Sequence, residues 1–176
     1  MKTRLLLVDD QPMLRLGFKL VLDTQPDLEV VGEAGDGERA VAMTRALTPD
    51  VVLMDVRMPG TDGLEATRQI VSSGSPARVL VLTTFDLDEY VFAALRAGAS
   101  GFLLKDVPPE DLLTAIRAVA AGDAVVAPKV TRRLLDAFAS HLPDPSSGAA
   151  PDGALDQLTE REREVLVDVA RGRSNG

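Results

Sequence analysis

The 176-residue sequence contains no cysteine, and aromatic residues make up only 3% of it. Without cysteine, the chain cannot form disulfides or thiolate metal sites. With so few aromatic rings, the core must be built from Val, Leu, Ile and Ala, which suits buried parallel strands and the helices that cover them. No apolar run approaches the roughly 20 residues that span a bilayer. We therefore expect a cytoplasmic protein without a membrane segment.

Positive charge is also scarce. The sequence has 19 Lys and Arg against 27 Asp and Glu, which gives a formal net charge of −8. A charge of this sign disfavours nonspecific binding to nucleic acid or to an anionic membrane surface.

Residues 1–122 show a regular alternation of two apolar patterns. Short apolar runs typical of buried strands each precede a segment with apolar residues at helical spacing. The five runs are TRLLLV, LEVVGEA, DVVLMD, ARVLVLT and GFLLK. This alternation predicts an α/β fold, a five-stranded parallel sheet doubly wound in the flavodoxin-like order, with helices on both faces.

The pattern changes after Gly122. Residues 123–142 predict one extra amphipathic helix, and residues 143–154 have the Pro, Gly, Ser and Ala content of a flexible linker. In residues 155–176, Thr159 and Glu162 form a capping box that predicts the start of another helix. The chain ends two residues after Ser174, which suits the start of a further helix. We therefore expect a C-terminal helical segment that is truncated.

Polar residues follow four of the five predicted strands. Asp9 and Asp10 follow the first strand, Asp55 the third, Thr83 the fourth and Lys105 the fifth. In the expected strand order these four strands are neighbours, and their carboxyl ends form the edge where ligands bind in such sheets. Three carboxylates in one place repel each other unless a cation lies between them. Carboxylate oxygens with room for water suit Mg²⁺, so we expect a magnesium site at this edge.

A magnesium site with a free carboxylate, a lysine and a hydroxyl is equipped for phosphoryl transfer to an aspartate. Asp55 is the best candidate for the nucleophile because it stands alone at the end of the central strand, and Asp9 and Asp10 are better read as metal ligands. Each residue also has a simpler explanation. The acidic pair could cap the first helix, Asp55 could belong to a turn, Thr83 could bond locally and Lys105 could be a solvated charge. The convergence of all of them on one edge favours the site.

Several segments resemble the receiver domain of two-component response regulators: LLLVDDQPMLR, PDVVLMDVRMPGTDGLEATR, VLVLTTFD and LRAGASGFLLKD. The tail LTEREREVLVDVARGRSNG is similar to the beginning of a LuxR-type helix-turn-helix domain. Together they indicate a regulator of the NarL/FixJ class, with a CheY-like receiver in residues 1–122 and the start of the DNA-binding domain in residues 155–176.

The resemblance implies a role for each residue at the acidic edge. Asp55 corresponds to the phosphoacceptor. Asp10 would bind Mg²⁺ directly and Asp9 mainly through water, with Asp55 and the backbone carbonyl of Arg57 as further ligands. Lys105 would contact the phosphoryl group.

The resemblance also implies a switch. Thr83 would swing toward the phosphoryl group on activation, and the ring of Phe102, at the aromatic switch position, would move inward with it. Phe85 stands two residues after Thr83, where a bulky side chain affects water access and hence the lifetime of the phosphorylated state. Asp106 replaces the proline that follows this lysine in better-known receivers, and both isomers of the Lys105–Asp106 peptide bond stay open.

As partners, the resemblance implies a sensor histidine kinase, a second copy of the chain after phosphorylation, and DNA bound through the C-terminal domain. The helix that reads DNA is absent from this chain, so we expect no sequence-specific DNA binding by the chain itself. We expect a regulatory switch and not an enzyme that turns over a substrate.

Three alternatives remain. A magnesium-dependent aspartyl-phosphate hydrolase has the same chemistry, but such enzymes usually carry a second acid two residues after the nucleophile, where this chain has Arg57. The second is a binding module that works without phosphorylation. The third, a flavin-binding domain, is disfavoured because acids stand in the first loop, where a phosphate would be repelled.

Overall fold

The computed structural model describes residues 1–84, 88–126, 128–139 and 159–170. The strands are β1 (Thr3–Val8), β2 (Leu28–Ala34), β3 (Val51–Asp55), β4 (Arg78–Thr83), β5 (Gly101–Leu104) and β6 (Val125–Val126). The helices are α1 (Pro12–Asp23), α2 (Gly37–Leu47), α3 (Gly63–Ser72), α4 (Asp88–Arg96), α5 (Pro109–Ala121), α6 (Pro128–Ala139) and α7 (Glu160–Ala170).

The strands form one parallel sheet in the order β2-β1-β3-β4-β5-β6. The predicted α/β fold and the order of its first five strands are confirmed. The prediction of five strands was wrong by one, because Val125 and Val126 pair with Gly101 and Phe102 and add a sixth strand at the edge. This strand lies inside the segment from which only a helix was expected.

The two faces of the sheet bury separate cores, because successive side chains of a strand point to opposite sides. On β1, Leu5 and Leu7 pack on the face that α1 and α5 cover, whereas Leu6 and Val8 pack on the face of α2, α3 and α4. Most of the buried residues of β1, β3 and β4 are Val and Leu, whereas β2 buries only Leu28 and Ala34. The sequence without many aromatic residues thus fills both layers with branched side chains.

Helix ends follow the chemistry of their capping residues. Asp36 and Asp62 cap α2 and α3 by accepting hydrogen bonds from the backbone N–H of Arg39 and Glu65, both at 2.8 Å. Gly122 ends α5 with a φ of 104°, a conformation that residues with a side chain rarely adopt. Asp36 and Asp62 thus fix where α2 and α3 begin, and Gly122 fixes where α5 ends.

Among the described residues, no helix is long and apolar enough to cross a membrane. Phe85, the linker over residues 143–154, residues 155–158 and residues 171–176, including Ser174, lie outside the described residues.

Candidate functional site

The carboxyl ends of four neighbouring strands bring the predicted polar residues to one edge of the sheet. Asp9 and Asp10 follow β1, Asp55 is the last residue of β3, Thr83 is the last residue of β4, and Lys105 follows β5. The backbone N–H of Lys105 donates to the carbonyl of Thr83 at 2.8 Å, which ties the ends of β4 and β5 together. The parallel sheet therefore fixes the spacing of these side chains.

Lys105 supplies an ammonium group at this edge. Its Nζ lies 2.5 Å from Oδ2 of Asp9 and 3.1 Å from Oδ1 of Asp55. The three side chains are each only 5–6% exposed. One ammonium group thus bridges two buried carboxylates, and charge–charge interactions at this depth are screened less by water than at the surface.

Burial raises the pKa of the Asp55 carboxyl above its ordinary value, and the neighbouring charge of Asp9 acts in the same direction. Lys105 and a hydrogen bond from the backbone N–H of Arg57 act in the opposite direction without cancelling the effect. The phosphoacceptor candidate is therefore a carboxylate whose charge is only partly compensated by the protein.

Asp10 completes a group of three carboxylates with Asp9 and Asp55. One oxygen from each lies within 4.8 Å of the others, and Asp10 is more exposed than the other two. Oxygen donors at this spacing, buried on one side and open on the other, fit a hard divalent cation that keeps some of its water. The residues present therefore fit the magnesium ion that the sequence predicts.

A cleft of about 380 Å³ opens beside Asp10 and is lined by Arg57 and Tyr90 among others. The Arg57 guanidinium lies over the Tyr90 ring, 5.7 Å from its centroid, and donates from Nη2 to the phenol oxygen at 3.3 Å. This pair connects the loop after β3 to α4. Of the three carboxylates, Asp10 lines this cleft.

Gly63, the first residue of α3, packs directly against the end of β3. A Cβ at this position would lie 1.8 Å from the carbonyl oxygen of Asp55, a distance that no side chain can occupy. The backbone N–H of Gly63 donates to the carbonyl of Val56 at 2.9 Å. The loop that follows Asp55 is therefore held against α3 by a contact that only glycine permits.

The two switch candidates are both buried. Thr83 is 1% exposed at the end of β4, and Phe102 is completely buried on β5, in the core beneath α4. The described residues contain no cis peptide bond, so the bond between Lys105 and Asp106 is trans.

Residues 5–117 match the family described as the response regulator receiver domain. The chain belongs to the response regulator family. Response regulators of the NarL type, which the chain resembles, are regulatory proteins and not classical enzymes.

The similar proteins include regulators of the NarL type. The chain is 42% identical to the transcriptional regulatory protein YxjL of Bacillus subtilis (strain 168), over 99% of this chain and 78% of that protein. It is 39% identical to the nitrate/nitrite response regulator protein NarL of Escherichia coli (strain K12), over 97% of this chain and 76% of that protein. A solved LuxR-family two-component response regulator from Aurantimonas sp. SI85-9A1 superposes with a TM-score of 0.74 at 35% identity, covering 79% of this chain and 99% of that one.

Sequence reasoning missed three residues of this receiver site: Arg15, Gly63 and Tyr90. Gly63 and Tyr90 gave no pattern of their own, since their roles depend on contacts with Asp55 and Arg57 across the fold. Arg15 is a basic residue one turn into the helix that follows the acidic pair, a pattern that indicates proximity to the acidic edge but not which group the side chain contacts. That position places its side chain close to the acidic edge.

Proposed function

We propose that Asp55 accepts a phosphoryl group from a histidine kinase and that this modification switches the receiver. The observation that carries the proposal is the uncompensated charge at the acidic edge. Three carboxylates lie within reach of each other, and Lys105 bridges only two of them, Asp9 and Asp55. A divalent cation and a phosphoryl group together would complete this set of charges.

In the proposed reaction, an oxygen of Asp55 attacks phosphorus as the P–N bond of phosphohistidine breaks, and the imidazole nitrogen keeps the electron pair. Lys105 lies 3.1 Å from Oδ1 of Asp55, where its ammonium can hold a phosphoryl oxygen. Asp9, Asp10, Asp55 and the backbone carbonyl of Arg57 are the groups that would hold Mg²⁺. Bound there, the ion would neutralise charge on the phosphoryl oxygens.

The proposed switch begins with the negative charge and acceptor oxygens of the new phosphoryl group. The Thr83 hydroxyl lies on the strand next to that of Asp55 and is suited to bond one of these oxygens. Phe102, whose ring is already buried beneath α4, lies two residues before the carbonyl end of β5. A shift of Thr83 would therefore change the packing of α4 and β5, the surface that we propose presents the signal.

The proposal includes the partners of the whole protein. A sensor histidine kinase would supply the phosphoryl group, the phosphorylated chain would form a homodimer, and DNA would be bound through the C-terminal LuxR-type domain. The relatives named above include a transcriptional regulatory protein and a nitrate/nitrite response regulator. Control of transcription by a cytoplasmic protein is the function that these similarities support.

The test is the intact mass of the chain after incubation with a small acyl-phosphate donor and Mg²⁺. We expect the parent to gain one phosphoryl group, and we expect no gain in Asp55→Asn or when the metal is chelated. In Asp10→Asn, half-maximal modification should need at least about tenfold more Mg²⁺, because a carboxylate ligand is lost.

Asp62→Asn is the matched control, since Asp62 lines the same cleft and asparagine can keep its capping bond to α3. It should behave as the parent. A parent that gains no phosphoryl group from the donor would contradict the proposal. Continuous release of phosphate from a phosphate ester would instead support the hydrolase alternative.

A further inference from the structure

Arg15 on α1 joins the acidic loop to β2. Its Nη1 donates a hydrogen bond to the backbone carbonyl of Asp9, and its Nε lies 3.6 Å from Oε1 of Glu33 on β2. The guanidinium also lies against the backbone of Gly35, where a Cβ would be 3.6 Å from Nη1. The Arg15 side chain is only 19% exposed, whereas that of Glu33 is 38% exposed, so the shielded part of this arrangement is the guanidinium.

The bond from Arg15 adds to three others that fix Asp9. Its backbone N–H donates to the carbonyl of Ala34 at 3.1 Å, its Oδ1 accepts from the backbone N–H of Gln11 at 2.9 Å, and its Oδ2 accepts from Lys105. Of these bonds, the one from Arg15 acts on the peptide group that links Asp9 to Asp10. It therefore sets the direction in which the chain leaves Asp9 and presents the Asp10 carboxylate.

The choice of acceptor matters because a cation close to three carboxylates would normally bind one of them. Arg15 donates to a backbone carbonyl, while its Nε faces Glu33 at 3.6 Å in an ion pair that is too long for a hydrogen bond. A planar guanidinium can make both contacts at once, whereas an ammonium is a single point charge. Arg15 thus orders the acidic loop without occupying a carboxylate oxygen that a metal ion needs.

We propose that Arg15, held by Glu33, is a positioning residue for the magnesium site. The inference rests on the proposed function, since it concerns the affinity of the same acidic group for Mg²⁺. Residues that orient the ligands of a metal typically change its affinity about 10- to 100-fold when they are removed. We expect Arg15→Gln to weaken Mg²⁺ binding by about tenfold.

The full chain offers a direct probe, because Tyr90 is its only tyrosine, there is no tryptophan, and Tyr90 lines the cleft beside Asp10. Mg²⁺ is titrated against the fluorescence of Tyr90. The same affinity is measured independently from the rise in melting temperature with Mg²⁺ concentration. The variants are Arg15→Gln and Glu33→Gln, and Arg68→Gln is the control, since Arg68 is an exposed arginine of α3 that pairs with Glu65 at 2.5 Å.

The expected result is weaker binding in both Arg15→Gln and Glu33→Gln, with Arg68→Gln equal to the parent. Phosphoryl uptake should separate positioning from general damage. In Arg15→Gln the Mg²⁺ concentration for half-maximal rate should rise about tenfold while the rate at saturating Mg²⁺ stays that of the parent. A lower rate at saturating Mg²⁺ would overturn the positioning role.

Failure of this inference and failure of the proposed function give different results. A parent that does not bind Mg²⁺ overturns the proposed function and the inference with it. A parent that binds Mg²⁺ beside an Arg15→Gln variant of equal affinity overturns the inference alone. If Arg15→Gln does not fold, Glu33→Gln decides, and a parent-like affinity there overturns the inference.

Discussion

Two regions of the molecule bury charged side chains and do so in opposite ways. At the acidic edge of the sheet, the carboxylates of Asp9 and Asp55 share the ammonium group of Lys105, and the more exposed carboxylate of Asp10 lies beside them, so that three carboxylates face one ammonium group. Where α7 packs on α4, Glu162 is 5% exposed and has a partner for each oxygen. Oε1 accepts from Nε of Arg96 at 3.3 Å, and Oε2 accepts from the backbone N–H of Thr159 at 2.8 Å.

Two other residues of α7 also make contacts with the rest of the chain. Arg161 donates from Nε to the carbonyl of Ala99 at 3.2 Å and from Nη2 to the carbonyl of Ser100 at 3.3 Å. Val165 is 2% exposed and joins the core beneath α4. A region whose charges are matched within the chain holds two elements together, whereas a region with excess charge is prepared for a ligand.

The largest effect should come from removing the ammonium group that bridges Asp9 and Asp55. Lys105→Met leaves three carboxylates with no ammonium group among them and removes the proposed contact to the phosphoryl group. We expect the rate of phosphoryl uptake from a small acyl-phosphate donor to fall by about 100-fold or more at saturating Mg²⁺. The rate is followed by intact mass over time.

Lys19→Met is the matched control. Lys19 pairs with Asp23 at 2.6 Å on α1, and the two side chains are 34% and 48% exposed. It should keep the rate of the parent, because exposed pairs of this kind contribute little. If the rate of Lys105→Met falls by less than about tenfold, the loss is smaller than expected on removing a donor to the reacting oxygen. That result would contradict the role given to Lys105.

The second-largest effect is expected on stability, where a substitution at the acidic edge should improve the property that is measured and not impair it. Burial raises the pKa of Asp55, so the folded state holds this proton more tightly than the unfolded state does. The stability linked to Asp55 is therefore complete below its unfolded pKa and is lost as pH rises through its folded pKa. At neutral pH without Mg²⁺, Asp55→Asn should be more stable than the parent, by on the order of 1 kcal/mol or ~2–4 °C in Tm.

The pH dependence is the check on this prediction. The gap in Tm between Asp55→Asn and the parent should narrow as pH falls into the carboxyl range, and it should narrow at neutral pH when Mg²⁺ is added to the parent. Asp123→Asn removes one exposed carboxylate and should show no gap. A parent that is more stable than Asp55→Asn without metal would mean that the acidic edge is already balanced.

The parts of the molecule also differ in how far the sequence predicts them. The acidic edge was predictable because strand ends are marked by a change from apolar runs to polar residues, and parallel strands bring those ends together. The sixth strand was not, since Val125 and Val126 are too few to show a strand pattern and become a strand only through pairing with Gly101 and Phe102. Tertiary contacts decided this element.

At α7 only the local part was predictable. The spacing of Thr159 and Glu162 indicated a capping box, and the hydrogen bond between them is present in the structure. The partners Arg96 and Ala99 lie more than 60 residues away in the sequence, at separations of 66 and 62. Arg15 and Asp9 are closer along the chain, but their contact involves a backbone carbonyl, an acceptor that every residue carries and that no sequence motif reveals.

The smallest effect should come from neutralising the matched carboxylate. Glu162→Gln keeps a group that can accept from the backbone N–H of Thr159, but it loses the charge that pairs with the largely exposed Arg96. We expect α7 to open more easily by about 0.5–1 kcal/mol, which is a roughly two- to fivefold faster hydrogen exchange of its amides. Glu164→Gln, at a carboxylate that is 59% exposed, should exchange as the parent does. Slower exchange in Glu162→Gln would show that this carboxylate, like that of Asp55, destabilises the folded state. The two regions would then differ in their position in the fold and not in their balance of charge.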